Sequence, residues 1–589
     1  MTVNISKEVL HSFLDKGFLL SPDILEEEGF DTDFLNLVDT RILSKEKPVV
    51  IGSDIYKGVS KKGVTGINWV EFEKSRVLHE KGKTNRVYSS FLELIFDEPK
   101  DNSEESTGYT IIKKEEAPEP KLETIEEVAK EIQSQPVVEE VVEKVVPEIQ
   151  TPQEQTNLSD SDYPLKVVTS YGDESKLREV KDFVGHYKSR YEFLRKIVAS
   201  RQEMQNVISI NRTSSKERNE KVALIGLVYD KRITKKGNTM ITLEDTTGTI
   251  RVVFDPNKAK GIDYLCPDEL IGVVGKVNEN FMYASEIIFP DIPEKLSVKK
   301  YNEDICAAFI SDVHVGSSWF IEDKFLELID WLNGKHKDPN MIELSKKIKY
   351  LFITGDMVDG VGIYPNQDKE LTIKSIRGQY DRCAELIKMI RNDIKIILCP
   401  GNHDARRIAE PQPPLDIYAE SLKQIKNLTL VSNPAMINVL GTEGFEGFDI
   451  LMYHGYSYDY YAANIGPIMM DGGYDRGDSI MKFLLKKRHL SPVHTSTLFV
   501  PNGKEDYLLI DHVPDIFVSG HIHKSSVSKY KGVTNIMGSC WQYKTDFQEK
   551  VGHHPEYCKV PIFNFGSGET MIVDFAPENK VPEIKNGNE

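Results

Sequence analysis

Five short patches, each ending an apolar run with metal-binding side chains, limit this chain more than any other feature. They are Ser311-Asp312-Val313-His314, Gly355-Asp356-Met357-Val358-Asp359, Gly401-Asn402-His403-Asp404, Tyr453-His454-Gly455 and Gly520-His521-Ile522-His523. The runs before them (307–310, 350–353, 394–398, 449–452 and 515–518) read as buried strands, with helix-like segments between some of them. That pattern predicts an α/β layered core. In such folds functional groups gather beyond the carboxyl ends of the strands, so five distant tips can meet at one place.

What would meet there is carboxylate, imidazole and one carboxamide, without thiolate, a donor set that suits divalent transition metals. Asp312/His314 and His521/His523 are spaced i, i+2, which on a strand puts both side chains on one face. Asp356 can offer both oxygens and bridge two metals. Two such ions roughly 3.5–4 Å apart activate water and stabilise an in-line phosphoryl displacement. Singly, each patch also reads as an ordinary turn, because Asn, Asp and Gly suit turns. Together, in order and each behind a strand-like run, they take five of the fourteen histidines.

The order Asp-x-His, Gly-Asp-x-x-Asp, Gly-Asn-His-Asp, His, Gly-His-x-His resembles the calcineurin-like metallophosphoesterases. Longer strings narrow the match. Pro400 to Arg407, Glu410-Pro411-Gln412-Pro413-Pro414-Leu415, Lys487 to Pro492, Asp511 to Ile516 and Gly538-Ser539-Cys540-Trp541-Gln542 resemble the small subunits of archaeal D-family DNA polymerases, over roughly residues 165–575. The resemblance implies a two-sheet α/β sandwich. One metal would take Asp312, His314, Asp356 and His523, and the other Asp356, Asn402, His454 and His521. His403 would serve the leaving group. Asp359 would stand behind the ligands. Asp404 would orient His403 or only form the turn, and Arg406 and Arg407 would hold phosphate or pair locally with Glu410 or Asp404.

The family further implies a proofreading 3′–5′ exonuclease that hydrolyses DNA phosphodiesters through a metal-activated water and serves as scaffold for a large catalytic subunit. Its ions would be two divalent metals, Mn²⁺ on family grounds, with Fe or Zn open. Its other partners would be DNA 3′ ends, single-stranded or mismatched, and a sliding clamp or other replisome proteins through the complex. A catalytically silent scaffold and a stand-alone phosphoesterase of DNA repair are the alternatives. Intact ligand positions speak against the first. The barrel and the tethered N-terminal region described below speak against the second.

Length points to several domains, since 589 residues exceed one core. With 40% hydrophobic and 28% charged residues, no run long enough to span a bilayer and no signal-peptide pattern, the expected location is the archaeal cytoplasm, without membrane association. Six scattered cysteines without Cys-x-x-Cys argue against a zinc ribbon or a disulfide framework. The formal net charge of −18 is concentrated: residues 101–162 hold 17 acidic and 5 basic side chains, a net of −12. The segment 98–162 reads as a disordered acidic linker.

Residues 1–50 read as a small helical domain on the stripe Val9-Leu10, Phe13-Leu14, Phe18-Leu19-Leu20, with a second helix starting at Ser21-Pro22. Residues 51–97 extend it or form an arm. Residues 163–219 read as a helical connector. Residues 220–297 show five strand-like runs and the basic turn Asp230 to Asn238, the pattern of an OB-type β barrel with a mainly docking role. The nuclease domain is expected over 301–576, with the insert Tyr456 to Asp478 either lining a substrate groove or packing as a loop. Residues 577–589 read as a flexible tail.

Overall fold

The computed structural model describes residues 163–577, apart from 173–175, 255–258, 279–280, 296–298, 546–547 and 550–552, together with 50–61 and positions 13, 19, 20, 24, 34, 72 and 76. Two compact units divide the chain, Met1–Glu148 and Ile149–Glu589. In the first, strand β1 (Leu19–Leu20) lies parallel to β2 (Val50–Ile51), and a helical turn α1 (Ser53–Tyr56) follows. Phe13, Phe34, Ile55, Tyr56 and Phe72 are buried, with Phe34 edge-on to Tyr56 at 5.0 Å. The expected helical stripe is therefore corrected at Leu19–Leu20, which is extended. The approach to Pro22 disfavours helix there, and pairing with β2 supplies the backbone with partners. The rest of the helical reading of 1–50, the helix start at Ser21-Pro22, most of the arm to 97, the linker 98–162 and the tail after 577 lie outside the described residues.

The second unit is built on two packed six-stranded sheets. In chain order the strands are β3 (Leu165–Ser170), the barrel strands β4 (Lys221–Ile233), β5 (Thr239–Asp245), β6 (Gly248–Phe254), β7 (Leu270–Asn278) and β8 (Phe281–Ile288), then β9 (Cys306–Ile310), β10 (Ile348–Thr354), β11 (Lys395–Cys399), β12 (Leu428–Leu430), β13 (Ala435–Val439), β14 (Phe448–Met452), β15 (Ile516–Ser519), β16 (Ser526–Tyr530), β17 (Val533–Met537), β18 (Lys559–Asn564) and β19 (Thr570–Asp574). One sheet runs β12-β11-β10-β9-β18-β19 and the other β16-β17-β15-β14-β13-β3.

Strict alternation on the parallel strands explains why both faces are covered. Ala307, Phe309, Tyr350, Phe352, Ile397 and Cys399 turn to the second sheet and meet Ile437, Ile450, Met452 and Val518. Their neighbours Ala308, Ile310, Leu351, Ile353, Ile396 and Leu398 turn outward, onto the core that includes helices α3 (Glu322–Leu332), α4 (Pro339–Lys347) and α5 (Ile376–Lys388). On α5 the buried face is Tyr380, Cys383, Ala384 and Ile387, at helical spacing. The second sheet is covered by α6 (Tyr458–Asn464) and α7 (Gly477–Lys487).

The segment expected to be a helical connector opens instead with β3. That strand pairs antiparallel with β13, Leu165 opposite Val439 and Ser170 opposite Ala435. The sandwich thus recruits its edge strand from ahead of the barrel. The long helix α2 (Val180–Ala199) follows and is pinned by Arg190, whose Nε donates to Asp506 at 2.7 Å. The five runs between 220 and 297 form a closed barrel in the order β4-β5-β6-β8-β7. Lys487 at the end of α7 joins barrel to sandwich, bonding Glu269 and, at 2.8 Å, the Tyr264 carbonyl. Among the described residues no helix is long and apolar enough to cross a membrane.

Candidate metal centre

Each expected ligand sits just past a strand end. Asp312 and His314 follow β9, Asp356 follows β10, Asn402 and His403 follow β11, His454 follows β14, and His521 and His523 follow β15. Asp312, His314, Asp356, His521 and His523 all have positive φ, between 49° and 72°. The i, i+2 pairs therefore sit in left-handed turns rather than on one strand face, which corrects the sequence reading. Such backbone is costly for residues with a Cβ and is kept where its surroundings over-determine it. Two glycines make room. A Cβ on Gly401 would fall 2.2 Å from Asp356 Oδ1, and one on Gly355 (φ +82°) 2.3 Å from His454 Nδ1.

The donor atoms converge in two groups. In the first, His314 Nε2 lies 3.1 Å from His523 Nε2, which is 3.4 Å from Asp312 Oδ1. In the second, His454 Nε2 is 2.9 Å from Asn402 Oδ1 and 3.3 Å from Asp356 Oδ2, and His521 joins Asp356 and His454. Asp312 and Asp356 are buried, at 0% and 2% exposure. Burying two carboxylates with the imidazoles of His314, His454 and His523, two of them with ring nitrogens turned on one another, is costly unless a cation compensates. The donor set thus fits divalent metal ions. Burial raises both aspartates, but His523 holds Asp312 down and His454 holds Asp356 well below the carboxylate range. Burial lowers His454, yet Asp356 outweighs it and lifts the imidazole to about 10.

A second layer fixes the ligands. Asp359 Oδ1 is 3.1 Å from His314 Nδ1, and its carboxylate accepts from Gln542 and Gln367, both at 2.8 Å. The Thr354 carbonyl holds His454 Nδ1 at 2.9 Å, and Gln548 Nε2 lies 3.1 Å from His523 Nδ1. His403 donates its backbone N–H to Asp356 Oδ1 at 2.8 Å, and its Nδ1 lies 2.7 Å from the Asp359 carbonyl. That carbonyl can only accept, so Nδ1 carries the proton, and Nε2 is directed elsewhere.

Asp404 does not orient His403. It accepts from the Gly401 N–H at 2.8 Å and the Tyr380 hydroxyl at 2.9 Å, and so braces the loop. Burial, aided by the charge of Asp356, raises its carboxyl to about 6. Burial likewise raises Glu410 to about 7, against the hydroxyl of Tyr453. Neither arginine pairs with Asp404 or Glu410. Arg406 pairs with Asp416. Arg407 donates to the Ala409 and Pro411 carbonyls at 3.2 and 2.9 Å and lies over the Tyr171 ring. These contacts hold both guanidiniums within the loop and against its neighbours. In the insert, Tyr458 and Tyr461 are core residues, whereas Tyr456 stands edge-on to His521 at 5.7 Å.

Several residues of the centre carry no sequence signal of their own. Gln367 and Gln548 are single amides outside any motif, and Gln542 ends the string from Gly538 without metal-binding neighbours to mark its role. Asp459, whose Oδ2 is 3.2 Å from His521 Nε2, lies on α6 inside the tyrosine-rich insert.

Paired sheets with histidine and aspartate tips at the carboxyl ends of parallel strands define a phosphoesterase architecture, and residues 307–525 match the family model described as calcineurin-like phosphoesterase. The longer comparison is more specific. The DNA polymerase II small subunit of Methanothermobacter thermautotrophicus is 38% identical over 69% of this chain and 83% of its own length. That of Archaeoglobus fulgidus is 37% identical over 70% and 81%, and that of Pyrococcus furiosus 33% over 70% and 66%. The chain belongs to the archaeal DNA polymerase II small-subunit family.

Proposed function

We propose that this chain is a metal-dependent 3′–5′ exonuclease that proofreads for a DNA polymerase whose large catalytic subunit is a separate chain, and that it also serves as a scaffold for that subunit. The observation that supports this reading is that seven side chains able to ligate a metal gather in two groups just past five strand ends. Asp312, His314, Asp356 and His523 would hold one divalent ion, and Asp356, Asn402, His454 and His521 the other, with Mn²⁺ the proposed ion. When bound, such ions supply Lewis acidity and a nucleophilic water at neutral pH.

Hydrolysis breaks the P–O3′ bond, bonds a water oxygen to phosphorus and delivers a proton to O3′. His403, anchored through Nδ1, is the residue proposed to bring that proton on Nε2. Asp359 keeps His314 in its tautomer by accepting from Nδ1. The barrel is read as OB-type, a reading supported by its order and by the parallel β6–β8 pair, with docking to the sandwich as one of its roles. Partnership with a large subunit rests on the relatives' name, and a sliding clamp would be reached through the complex in the cytoplasm.

The test is a nuclease assay on a 3′-mismatched primer–template and on single-stranded DNA, with Mn²⁺ or EDTA, alone and with the large subunit. Metal-dependent shortening from the 3′ end, lost in Asp356→Ala and His403→Ala, is expected. No cleavage in either state would leave only the scaffold role.

A further inference from the structure

We infer that the string Glu410-Pro411-Gln412-Pro413 is a positioning element of the metal centre, which ties the loop of Asn402 to the loop of His454 and so sets the site of the ion proposed to sit between them. The inference rests on the two-ion reading above. Asn402 follows β11 in one sheet, and His454 follows β14 in the other. Ladder hydrogen bonds fix strands within a sheet but not the distance between two packed sheets. Ligand geometry must nevertheless hold to about 0.5 Å, so a contact outside the ladders has to set that distance.

Asn433 makes that contact from the crossing between β12 and β13, where the chain passes from the first sheet to the second. Its Oδ1 accepts the His454 N–H at 2.9 Å, and its Nδ2 donates to Gln412 Oε1 at 2.8 Å. Gln412 Nε2 in turn donates to the carbonyls of Gly401, the residue before Asn402, and of Arg407, both at 3.0 Å. The backbones of Gln412 and Asn433 also pair, at 2.7 and 2.9 Å. A continuous series of hydrogen bonds therefore runs from Gly401 to His454. Both amide orientations follow from the partners, because a peptide N–H only donates and a peptide carbonyl only accepts.

The rest of the string supports the same joint. Glu410 accepts from the hydroxyl of Tyr453, the residue before His454, at 3.0 Å, and its Oε1 lies 3.4 Å from Asn433 Nδ2. Pro411 and Pro413 have no N–H, and the two backbone donors left, those of Glu410 and Gln412, are bonded to the Leu498 and Asn433 carbonyls. Glu410, Gln412 and Asn433 are buried, where an amide left without a partner is costly. Between β9 and β15 a different contact closes the gap, the His521 N–H on Asp312 Oδ2 at 3.0 Å. Among the described residues the string makes no hydrogen bond to Asp312, His314 or His523, so the ion of that group is expected to be insensitive to it.

The experiment is a Mn²⁺ titration of the full chain, followed by native mass spectrometry and by electron paramagnetic resonance. Neighbouring Mn²⁺ ions give a spin-coupled signal, and a lone ion gives its own hyperfine pattern. Gln412→Met keeps the length of the side chain and removes its hydrogen bonds. This variant is expected to keep one ion and to bind the second about 10- to 100-fold more weakly. It should show the lone-ion pattern where the unsubstituted chain shows the coupled one. A cooperative thermal transition in EDTA would show that it is folded. Asn433→Ser, too short to reach His454 and Gln412 together, carries the same test should Gln412→Met not fold. A coupled pair formed at the same Mn²⁺ concentration as in the unsubstituted chain, or loss of both ions together, would overturn the inference and leave the two-ion reading standing. Fewer than two ions in the unsubstituted chain would overturn both.

Discussion

His314 Nε2 and His523 Nε2 face each other at 3.1 Å inside a buried pocket that Asp312 closes from one side. A proton can sit between two such nitrogens in only one direction at a time, whereas a divalent ion satisfies both lone pairs and the carboxylate together. Divalent metal is therefore expected to stabilise the fold, by about 2.7 kcal/mol at a hundredfold excess over Kd. Thermal unfolding with Mn²⁺ and with EDTA measures this. An equal midpoint in the two, or a full metal shift surviving in His523→Ala, would exclude the site.

Asp359 touches no proposed ion but fixes His314 through Nδ1. Asp359→Asn is expected to weaken metal binding by about 10- to 100-fold. Gln542→Ala, which removes one of the donors to that carboxylate, is expected to do so less. Titration calorimetry with Mn²⁺ gives both numbers. Unchanged affinity in Asp359→Asn would show that packing alone orients His314.

His403→Gln should separate chemistry from ion binding. The side chain lies beside the cluster, with its ring centroid 4.7 Å from that of His314. Metal content is expected to stay while kcat falls by about 10²- to 10⁴-fold. Loss of metal in this variant would instead make His403 a ligand.

Much of this centre can be read from the sequence, because parallel strands buried on both faces leave unbroken apolar runs such as Ala307–Ile310 and Tyr350–Ile353, and the ligands sit directly behind them. The left-handed turns at Asp312 and His521 were not readable, because the contacts that hold them come from distant loops: the Asp312 N–H donates to the Gly355 carbonyl and the His521 N–H to Asp312 Oδ2, both at 3.0 Å. Asp404 and Arg406 adjoin His403 in sequence, yet the turn carries their side chains to Tyr380 and Asp416. Strand β3 was missed because its pairing partner lies some 270 residues away.

Asp459 is the clearest instance of a contact that only the fold creates. Its carboxylate on His521 Nε2 would leave Nδ1 as the nitrogen available to an ion. Asp459→Asn is expected to lower metal affinity in the group of Asp356, His454 and His521 while leaving the fold intact. Metal counting by mass spectrometry under native conditions reads occupancy directly. A variant that keeps full occupancy would assign Asp459 to the surface.

Away from the metal centre, the buried joint between α2 and the sandwich should fail in acid. Asp506 receives Arg190 at 2.7 Å and lies 2.8 Å from His489 Nε2. Burial opposes the charge on Asp506, but Arg190 and His489 outweigh it and hold the carboxyl well below its ordinary range. Burial pushes His489 down to about 4. Between pH 6.5 and 4 the unfolded chain therefore takes up a proton that folded His489 refuses, so stability falls as pH falls through that window, by up to ~3 kcal/mol. Asp506 adds a further loss below its unfolded value of 3.8, as protonation in the unfolded chain competes with the folded pair. His489→Gln keeps a donor to Asp506 and removes its own titration, leaving that of His186, which lies 3.3 Å from Asp506 and which burial also lowers. Its denaturant midpoint is expected to change less across pH 6.5 to 4 than that of the unsubstituted chain, and parallel pH profiles would show that other groups set the acid limit.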